Sequence, residues 1–366
     1  PPTDPVTYVS DTDYLADIES DAGADFSALT DSQSRAAAAQ ILLKWVRGID
    51  VFDWDGDSEY DDARPWMMGD PLHSRPLTLN YGPTGGGYDD ENQHLRILFG
   101  TSDGFLHSVR NTAPNGNESG IEEWGFMPRE LLSHVKDLTK RSFVGQDKPY
   151  GIDLPPVSFV IDNDHDGIIE RGSGGNDSYC APGGDDQSDL TDLNCDKAYI
   201  YVGLRRGGKS YYGLDISDPE DDPRLLWQIT NEGVGTDFEE LGLSFSTPRQ
   251  AWVKFEPDGN INTFGGESVP IPVLIFGGGL YGGWTDDHSA RVGRDDLSYD
   301  VTTDATDGHD PEGAALFIVH ARTGELIWKA TWGASEGGVS ENEYHHNELI
   351  HSITAAVTPV DSDGDG

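Results

Sequence analysis

AYIYVGLRRGGKSYYGLDI, at Ala198–Ile216, predicts two apolar β-strands joined by a short turn rich in glycine and arginine. A further strand, RLLWQI, follows around Trp227, and an extended segment, LPPVSFVID, precedes the pair at Leu154–Asp162. Segments that are neighbours along the chain usually pair in space. These four segments are therefore expected to form one four-stranded sheet.

The same succession of strands occurs on both sides of this unit. The earlier copy is GDPLHSRPLTL (Gly69–Leu79), RILFGTSDGFLHSV (Arg96–Val109) and EEWGFM around Trp124, and the later copy is GLSFSTPRQAWVKF (Gly242–Phe255), PVLIFGGGLYGG (Pro272–Gly283) and AALFIVHARTGELIWKA around Trp328. A fourth copy begins at SITAAVTPVD, Ser352–Asp361. Sheets of this kind bury their apolar faces by stacking on neighbouring sheets, so the repeat predicts an all-β propeller with long loop insertions.

Tryptophans near the end of each copy set the period. Trp124, Trp227 and Trp328 are 103 and 101 residues apart, whereas a propeller blade usually takes about 40 to 50 residues. The excess lies in polar insertions such as 172–196 and 284–313. Unrelated core tryptophans are the alternative, and the glycine-containing turns that the copies share favour the repeat.

One helix is predicted ahead of the strands. Asp31–Arg47 carries apolar residues at helical spacing, Gly48 can end it, and its apolar stripe is expected to pack on the flank of the β domain. We therefore predict an acidic lead-in with a helix at 1–50 and propeller blades at 51–366. The chain opens without a signal-peptide pattern and ends within an Asp-Gly stretch, so we expect it to be part of a longer protein.

Acidic residues dominate the charge: Asp and Glu number 66 against 24 Lys and Arg, a net charge of −42. Such a surface repels nucleic-acid phosphates, so nucleic acid is not expected as a partner. No run of about 18 apolar residues occurs, and no transmembrane segment is predicted. Solvation in a salty medium accounts for the total charge, so any metal site must be argued from spacing.

DNDHDGIIE is the strongest candidate metal loop. Its carboxylates at positions 1, 3, 5 and 9, with a backbone carbonyl at position 7, are Asp162, Asp164, Asp166, Glu170 and Ile168. Gly167 permits the sharp turn, and the oxygen set is typical of Ca²⁺. Because position 9 replaces the bidentate glutamate at 12, this is not a full EF-hand. An acidic turn without metal is the alternative, which mutual repulsion of the carboxylates disfavours.

Two fainter copies of this loop occur, one at each end of the chain. They are Asp361, Asp363 and Asp365, which match positions 1, 3 and 5, and Asp53, Asp55 and Asp57, which alternate in the same way. In the second set the glycine is not at position 6, so a solvated acidic turn is the favoured interpretation there.

The two cysteines, Cys180 and Cys195, flank a stretch rich in glycine and aspartate. A disulfide closing a loop of about 15 residues contributes roughly 3 kcal/mol by chain entropy. We predict this bridge and with it an oxidising compartment. Two free cysteines are the alternative, and zinc is poorly supported because neither has a close Cys or His partner.

Several of these segments together resemble a known family. They look like successive blades of the C-terminal domain of the PilY-type proteins of type IV pili. The segments are GDPLHSRP, FGTSDGFLHSV with WGFMPRELL, VGLRRGGKSYYGLDISDPEDDPRLLWQI and LGLSFSTP. The resemblance implies a modified quinoprotein-like β-propeller at the outer membrane or the extracellular pilus tip. It also implies work with minor pilins in pilus extension, attachment to a host or abiotic surface, and calcium control of retraction through the loop that starts at Asp162.

An adhesion and assembly role rather than an enzyme is therefore expected. The runner-up is a pyrroloquinoline quinone-dependent dehydrogenase, which shares the propeller type. Such enzymes carry adjacent cysteines, whereas Cys180 and Cys195 lie apart. A structural surface protein of the same fold is the third interpretation, and loss of pili on deletion separates it from the first.

Overall fold

The computed structural model describes residues 22, 30–84, 86–139, 149–162, 165–169, 196–232, 237–253, 263–264, 267–268, 271–284, 291–293, 310, 312–333, 335–340 and 342–360. These residues form two compact units. The first contains the described residues up to Asp70, with Thr101–Phe105 and Met127–Tyr150. The second contains Pro71–Gly100, Leu106–Phe126 and the described residues from Gly151 onward. The division at residue 50 stays a prediction.

The described elements are a few helices and many short strands. The helices are α1 (Asp31–Val46) and α2 (Val135–Leu138), with 3-10 turns at Arg129–His134 and Arg205–Gly207. The strands are β1 (Leu77–Asn80), β2 (Leu95–Gly100), β3 (Leu106–Arg110), β4 (Glu122–Phe126), β5 (Val157–Ile161), β6 (Lys197–Gly203), β7 (Ser210–Asp215), β8 (Arg224–Thr230), β9 (Arg249–Val253), β10 (Thr263–Phe264), β11 (Glu267–Ser268), β12 (Ile271–Gly277), β13 (Gly282–Trp284), β14 (Arg291–Gly293), β15 (Ala315–His320), β16 (Leu326–Trp332), β17 (Gly337–Ser340) and β18 (Glu343–His346). The predicted all-β class is confirmed.

Each of the three sequence copies forms a sheet whose strands pair in chain order. The first two sheets are β1-β2-β3-β4 and β5-β6-β7-β8, and all their pairings are antiparallel. The third contains β9-β12-β15-β16, extended by β18 and β17, with β18 parallel to β16. Two short ribbons, β10-β11 and β13-β14, complete the described strands. The four-stranded unit predicted from the repeat is present in each copy.

Trp227 joins the second sheet to the third. Its indole Nε1 donates a hydrogen bond to the carbonyl of Ala321, 2.9 Å away, in the turn between β15 and β16. Tyr201, stacked on the indole with ring centroids 5.6 Å apart, donates its hydroxyl to the same carbonyl. All three residues are buried. The second tryptophan of the repeat is therefore a packing residue between neighbouring sheets.

Glycines that end the second strand of each sheet show the same close approach. A Cβ at Gly100 or Gly277 would collide with the segment that leads toward the next copy, whereas one at Gly203 would collide with Leu154 and Tyr211 and lie 3.1 Å from the carbonyl oxygen of Ser244. For Gly277 the obstructing residue is Ile353, in the predicted start of the fourth copy. The serines of the Ser-x-Pro motifs act here as well, since Ser74 Oγ accepts from the Gly100 amide and Ser246 Oγ from the Gly277 amide. These contacts explain why the sequence copies share glycine and serine.

Helix α1 begins one residue after Thr30, which forms a capping box with Gln33. Its apolar face is buried through Ala38, Leu42 and Trp45. The described apolar cluster around this face belongs to the first unit and contains no strand residue, so the expected packing on the flank of the β domain stays a prediction. Its neighbours are apolar residues of α2 and of the chain just after α1, namely Val135, Leu138 and Val51, with Met127 and Leu132 at the edge.

Candidate metal centre

The loop that starts at Asp162 follows directly after β5 and is anchored to the first sheet. The amide of Ile169 donates to the carbonyl of Asn80, the last residue of β1, at 2.8 Å. Ile169 is buried, and Ile168 lies so close to Gly82 that a Cβ there would collide with it. These apolar anchors at positions 7 and 8 fix where the loop lies relative to the first and second strands of that sheet.

Within this loop the backbone wraps around the carboxylate at position 1. Asp162 Oδ1 accepts from the amide of His165 at 2.6 Å, and Oδ2 accepts from the amide of Gly167 at 2.8 Å. Asp166 Oδ1 accepts from the amide of Ile168 at 2.7 Å. His165 and Gly167 both adopt left-handed φ angles, 66° and 84°. Two left-handed residues thus accompany the hydrogen bonds by which the backbone amides at positions 4 and 6 reach the carboxylate at position 1.

The residues present fit a hard divalent cation. Every proposed ligand atom is an oxygen, from carboxylates and one carbonyl, and this donor set suits Ca²⁺ better than a transition metal. Asp162, Asp166 and Ile168 are among the described residues, whereas Asp164 and Glu170 lie outside them. Full coordination by all five therefore stays a prediction.

The loop at Asp53 brings its three predicted ligands together. One carboxylate oxygen from each of Asp53, Asp55 and Asp57 lies within 4.8 Å of the other two. The carboxylates also hold the local backbone: Asp53 Oδ1 accepts from the Ser58 amide at 3.1 Å, and Asp57 Oδ1 from the Glu59 amide at 2.8 Å. The same alternating pattern that suggested a solvated turn thus produces a compact acidic cluster.

The described residues of the two loops share two left-handed positions and one hydrogen bond. At position 4 Gly56 has φ 79° where His165 has 66°, and at position 6 Ser58 has φ 70° where Gly167 has 84°. In both loops the amide at position 6 donates to the carboxylate at position 1. The argument from the misplaced glycine against the Asp53 site is therefore wrong. Ser58 adopts the left-handed conformation itself, at an energetic cost that glycine avoids.

Sequence reasoning missed two acidic residues beside this cluster. Asp50 is fully buried, and Asp62 is half-buried with one carboxylate oxygen shielded from solvent. The isolated β-bridge between Ile49 and Ala63 brings them together, and the Asp50 amide donates to the Asp62 carbonyl at 2.9 Å. Burial raises the pKa of the Asp62 carboxyl, and the nearby charge of Asp57 raises it further. Carboxylates are thus crowded together here, and the buried guanidinium of Arg64 is close enough to interact with the charge of Asp50.

The remaining predicted site residues fall outside the described part of the chain. Asp361, Asp363 and Asp365 are among them, and so are Cys180 and Cys195. The third calcium loop and the disulfide both stay predictions. Among the described residues, no helix has the length and apolar character needed to cross a membrane.

The described fold defines a class of protein: consecutive sheets, each with four antiparallel strands in chain order and the third with two more, whose connections carry loops rich in aspartate. Sequence relatives of this chain are the type IV pilus biogenesis factors PilY1 of Pseudomonas aeruginosa. The factor of strain UCBPP-PA14 is 26% identical over 228 residues, 58% of this chain and 16% of the relative. Those of strains PAO1 and PAK are 25% identical over 206 residues, 52% of this chain and 14% of the relative. The predicted resemblance to the PilY-type family is confirmed.

The match covers less than a fifth of the length of these curated relatives. The crystal structure of the Pseudomonas aeruginosa PilY1 C-terminal domain matches 67% of this chain and 31% of that chain, at 18% identity and a TM-score of 0.32. Because this TM-score is low, the architecture rests on the sheets of this chain alone. No family model matches the chain.

Proposed function

We propose that this chain is a calcium-binding propeller segment of a type IV pilus biogenesis protein that supports pilus extension and surface adhesion. The observation that carries the proposal is its sequence relationship to the PilY1 factors, whose name assigns them to pilus biogenesis. We assign the segment an assembly and adhesion role rather than catalysis.

The propeller part of the proposal is supported by contacts that recur between neighbouring sheets. Trp227 bonds the turn at Ala321 of the following sheet, and Tyr81 of the first sheet donates its hydroxyl to the Ile216 carbonyl after β7. Gly277 meets Ile353 as Gly100 meets Ile152. On this proposal each sheet is a blade, and the segment after Ile353 leads into a fourth.

The calcium part is supported by the position of the Asp162 loop. Asp162, Asp164, Asp166 and Glu170, with the Ile168 carbonyl, are the groups that would hold the ion, and Ca²⁺ would neutralise their mutual repulsion. The Ile169 amide already bonds the first sheet. We infer that a bound ion orders the start of the insertion containing Cys180 and Cys195, and that this ordered surface contacts pilin or target.

We place the protein outside the cell, at the outer membrane or the pilus tip, with minor pilins and a host or abiotic surface as partners. The net charge of −42 disfavours nucleic acid. Acidic stretches of this chain repel one another, and bound Ca²⁺ would reduce that repulsion. The predicted disulfide fits the same oxidising compartment.

The experiment that tests the proposal is deletion of the coding gene in its own bacterium. We expect surface pili, counted by electron microscopy, to be lost and to return when the wild-type gene is restored. Restoration with Asp164→Ala and Asp166→Ala should return the protein but not normal pilus retraction in millimolar calcium. Restoration with Asp90→Asn and Glu91→Gln, an equal charge change in an exposed turn, should behave as wild type.

An unchanged number of pili after deletion would refute the assembly role. Surface attachment is measured separately, in a background that cannot retract pili, so that adhesion and extension are read independently. If the deletion strain keeps its pili and loses only attachment, the chain is a surface adhesin and the biogenesis assignment is wrong.

A further inference from the structure

The turn between β6 and β7 holds Arg205 in a backbone conformation that arginine rarely adopts. Its φ is 50°, in the left-handed region, although Gly207 and Gly208 stand close by in the same turn. Ser244 Oγ fixes this conformation, because it accepts hydrogen bonds from the amides of Leu204 at 2.8 Å and Arg205 at 3.2 Å. Strained residues of this kind persist where the surrounding structure holds them, and they cluster at binding sites.

The guanidinium of Arg205 is held in place but incompletely paired. Its central carbon lies 4.9 Å from the centroid of the Phe245 ring, and its Nη1 lies 3.9 Å from Oδ2 of the buried Asp153, beyond hydrogen-bond distance. Its Nε is shielded from solvent and has no hydrogen-bond partner among the described residues. Asp153 bonds His73 instead, whose Nδ1 lies 2.9 Å from each carboxylate oxygen. A buried donor without an acceptor requires an explanation, and a bound anion is one.

The residues around this guanidinium are rich in positive charge, although the net charge of the chain is −42. Arg206, the next residue, has an exposed side chain, and so has Arg75, two residues after His73. Half of the His73 side chain is exposed as well. Asp153 contributes one negative charge against the three arginines. A local excess of positive charge attracts anions even on a protein that is acidic as a whole.

We propose that Arg205 is the centre of a binding site for a carboxylate that a partner protein presents, the side chain of an aspartate or a glutamate. A guanidinium pairs with a carboxylate through two parallel hydrogen bonds, and such pairs are stronger than bonds between neutral groups. Phe245 and Asp153 hold the guanidinium before the ligand arrives, so less conformational entropy is lost on binding. A carboxylate is favoured over a phosphate, because it brings less negative charge to an acidic protein. The inference is independent of the pilus proposal and holds or fails by itself.

Fluorescence anisotropy of a rhodamine-labelled peptide, Gly-Gly-Glu-Glu-Gly-Gly, tests the site on the whole chain at physiological ionic strength. We expect saturable binding, and no binding of the peptide in which glutamine replaces glutamate. Arg205→Lys keeps the charge beside Asp153 but lacks the planar fork, so it should weaken binding roughly fivefold with a wild-type urea midpoint. A wild-type chain that does not bind the peptide, or Arg205→Lys that binds it as wild type does, overturns the proposal.

Arg205→Gly separates ligand binding from structural support. Glycine adopts a left-handed φ without strain, so the variant should lose peptide binding while its urea midpoint stays equal or rises. Arg47→Gln, with the same charge change at an exposed position of the first unit, should bind as wild type. A lower urea midpoint with intact peptide binding would make Arg205 a structural residue and refute the site. Inorganic phosphate should displace the labelled peptide less well than unlabelled peptide does, and equal displacement would contradict the assignment to a protein carboxylate.

Discussion

The loops at Asp53 and Asp162 share two left-handed positions and one hydrogen bond but are held by different parts of the molecule. The first is attached to a helix through Trp54, whose amide donates to the buried carboxylate of Asp50. The second is attached to a sheet through Ile169 and Asn80, and its described acidic residues, Asp162 and Asp166, are half-buried and exposed. The comparison shows that both turns are stabilised by carboxylates that accept hydrogen bonds from the loop's own backbone amides. The free energy that a bound cation would contribute depends instead on how deeply the carboxylates are buried.

Calcium removal should give the largest effect, and should act on the two loops unequally. A site occupied at 100 times its Kd stabilises the folded state by about 2.7 kcal/mol. We expect EDTA to lower the thermal midpoint of the unit containing α1 more than that of the sheets, because Asp50 is the buried carboxylate among the described residues in or beside the two loops. Calorimetry of wild type and of the Asp164→Asn, Asp166→Asn variant measures the two contributions separately. Equal losses in both units would show that burial does not distinguish the loops.

Asp50→Asn should destabilise the unit that contains α1 by about 1–2 kcal/mol. Asp50 Oδ2 accepts from the amides of Trp54 and Asp55, and the buried carboxylate also attracts the guanidinium of Arg64. Urea unfolding of the variant and of wild type measures the loss. A variant as stable as wild type would mean that the Asp50 charge contributes nothing to the loop.

Acidification should weaken the sheet that anchors the Asp162 loop. His94 donates its amide to the carbonyl of Gly82, and its Nε2 accepts from Arg96 Nε at 3.0 Å. Burial, with the charge of Arg96, lowers the pKa of His94 to about 4. The unfolded chain takes up this proton first, so stability should fall by about 1.5 kcal/mol between pH 6.5 and pH 4. In His94→Gln, the free energy of unfolding measured with urea should fall less between pH 6.5 and pH 4 than in wild type. An equal fall in both proteins would mean that other groups cause it.

The smallest effects should come from exchanging the residues at position 6. Ser58→Gly is expected to stabilise the first loop by about 0.5–1 kcal/mol, and Gly167→Ala to destabilise the second by about 1 kcal/mol. Nothing lies within 4 Å of a Cβ at Gly167, so the cost there is purely conformational. Urea midpoints in EDTA measure both. The same sign in the two variants would contradict a shared left-handed turn.

Local patterns predicted much of this molecule. The 103- and 101-residue spacing of the tryptophans, with the Ser-x-Pro and strand-ending glycine motifs, predicted three four-stranded sheets because each motif serves contacts within a sheet or with its neighbour. Helix α1 ends at Val46, one residue before the predicted end. Its packing partner could not be predicted, since Val135 and Leu138 lie about 90 residues away in a segment with no helical periodicity.

The Asp53 loop shows where such reasoning stops. Alternating carboxylates identified Asp53, Asp55 and Asp57, but Asp50 and Asp62 come together only through the bridge between Ile49 and Ala63. A signal was present in the sequence, because Asp50 and Asp62 each stand next to an apolar residue and are therefore expected to be partly buried. The left-handed conformation of Ser58 had no signal at all, since serine usually avoids it.

A crystal structure grown in millimolar CaCl₂, with anomalous scattering measured at long wavelength, tests the central claim most directly. We predict one calcium peak within 2.3–2.6 Å of carboxylate oxygens of Asp53, Asp55 and Asp57, and a second at the same distance from those of Asp162 and Asp166. The absence of anomalous density from both loops, with their carboxylates turned apart, would contradict the account.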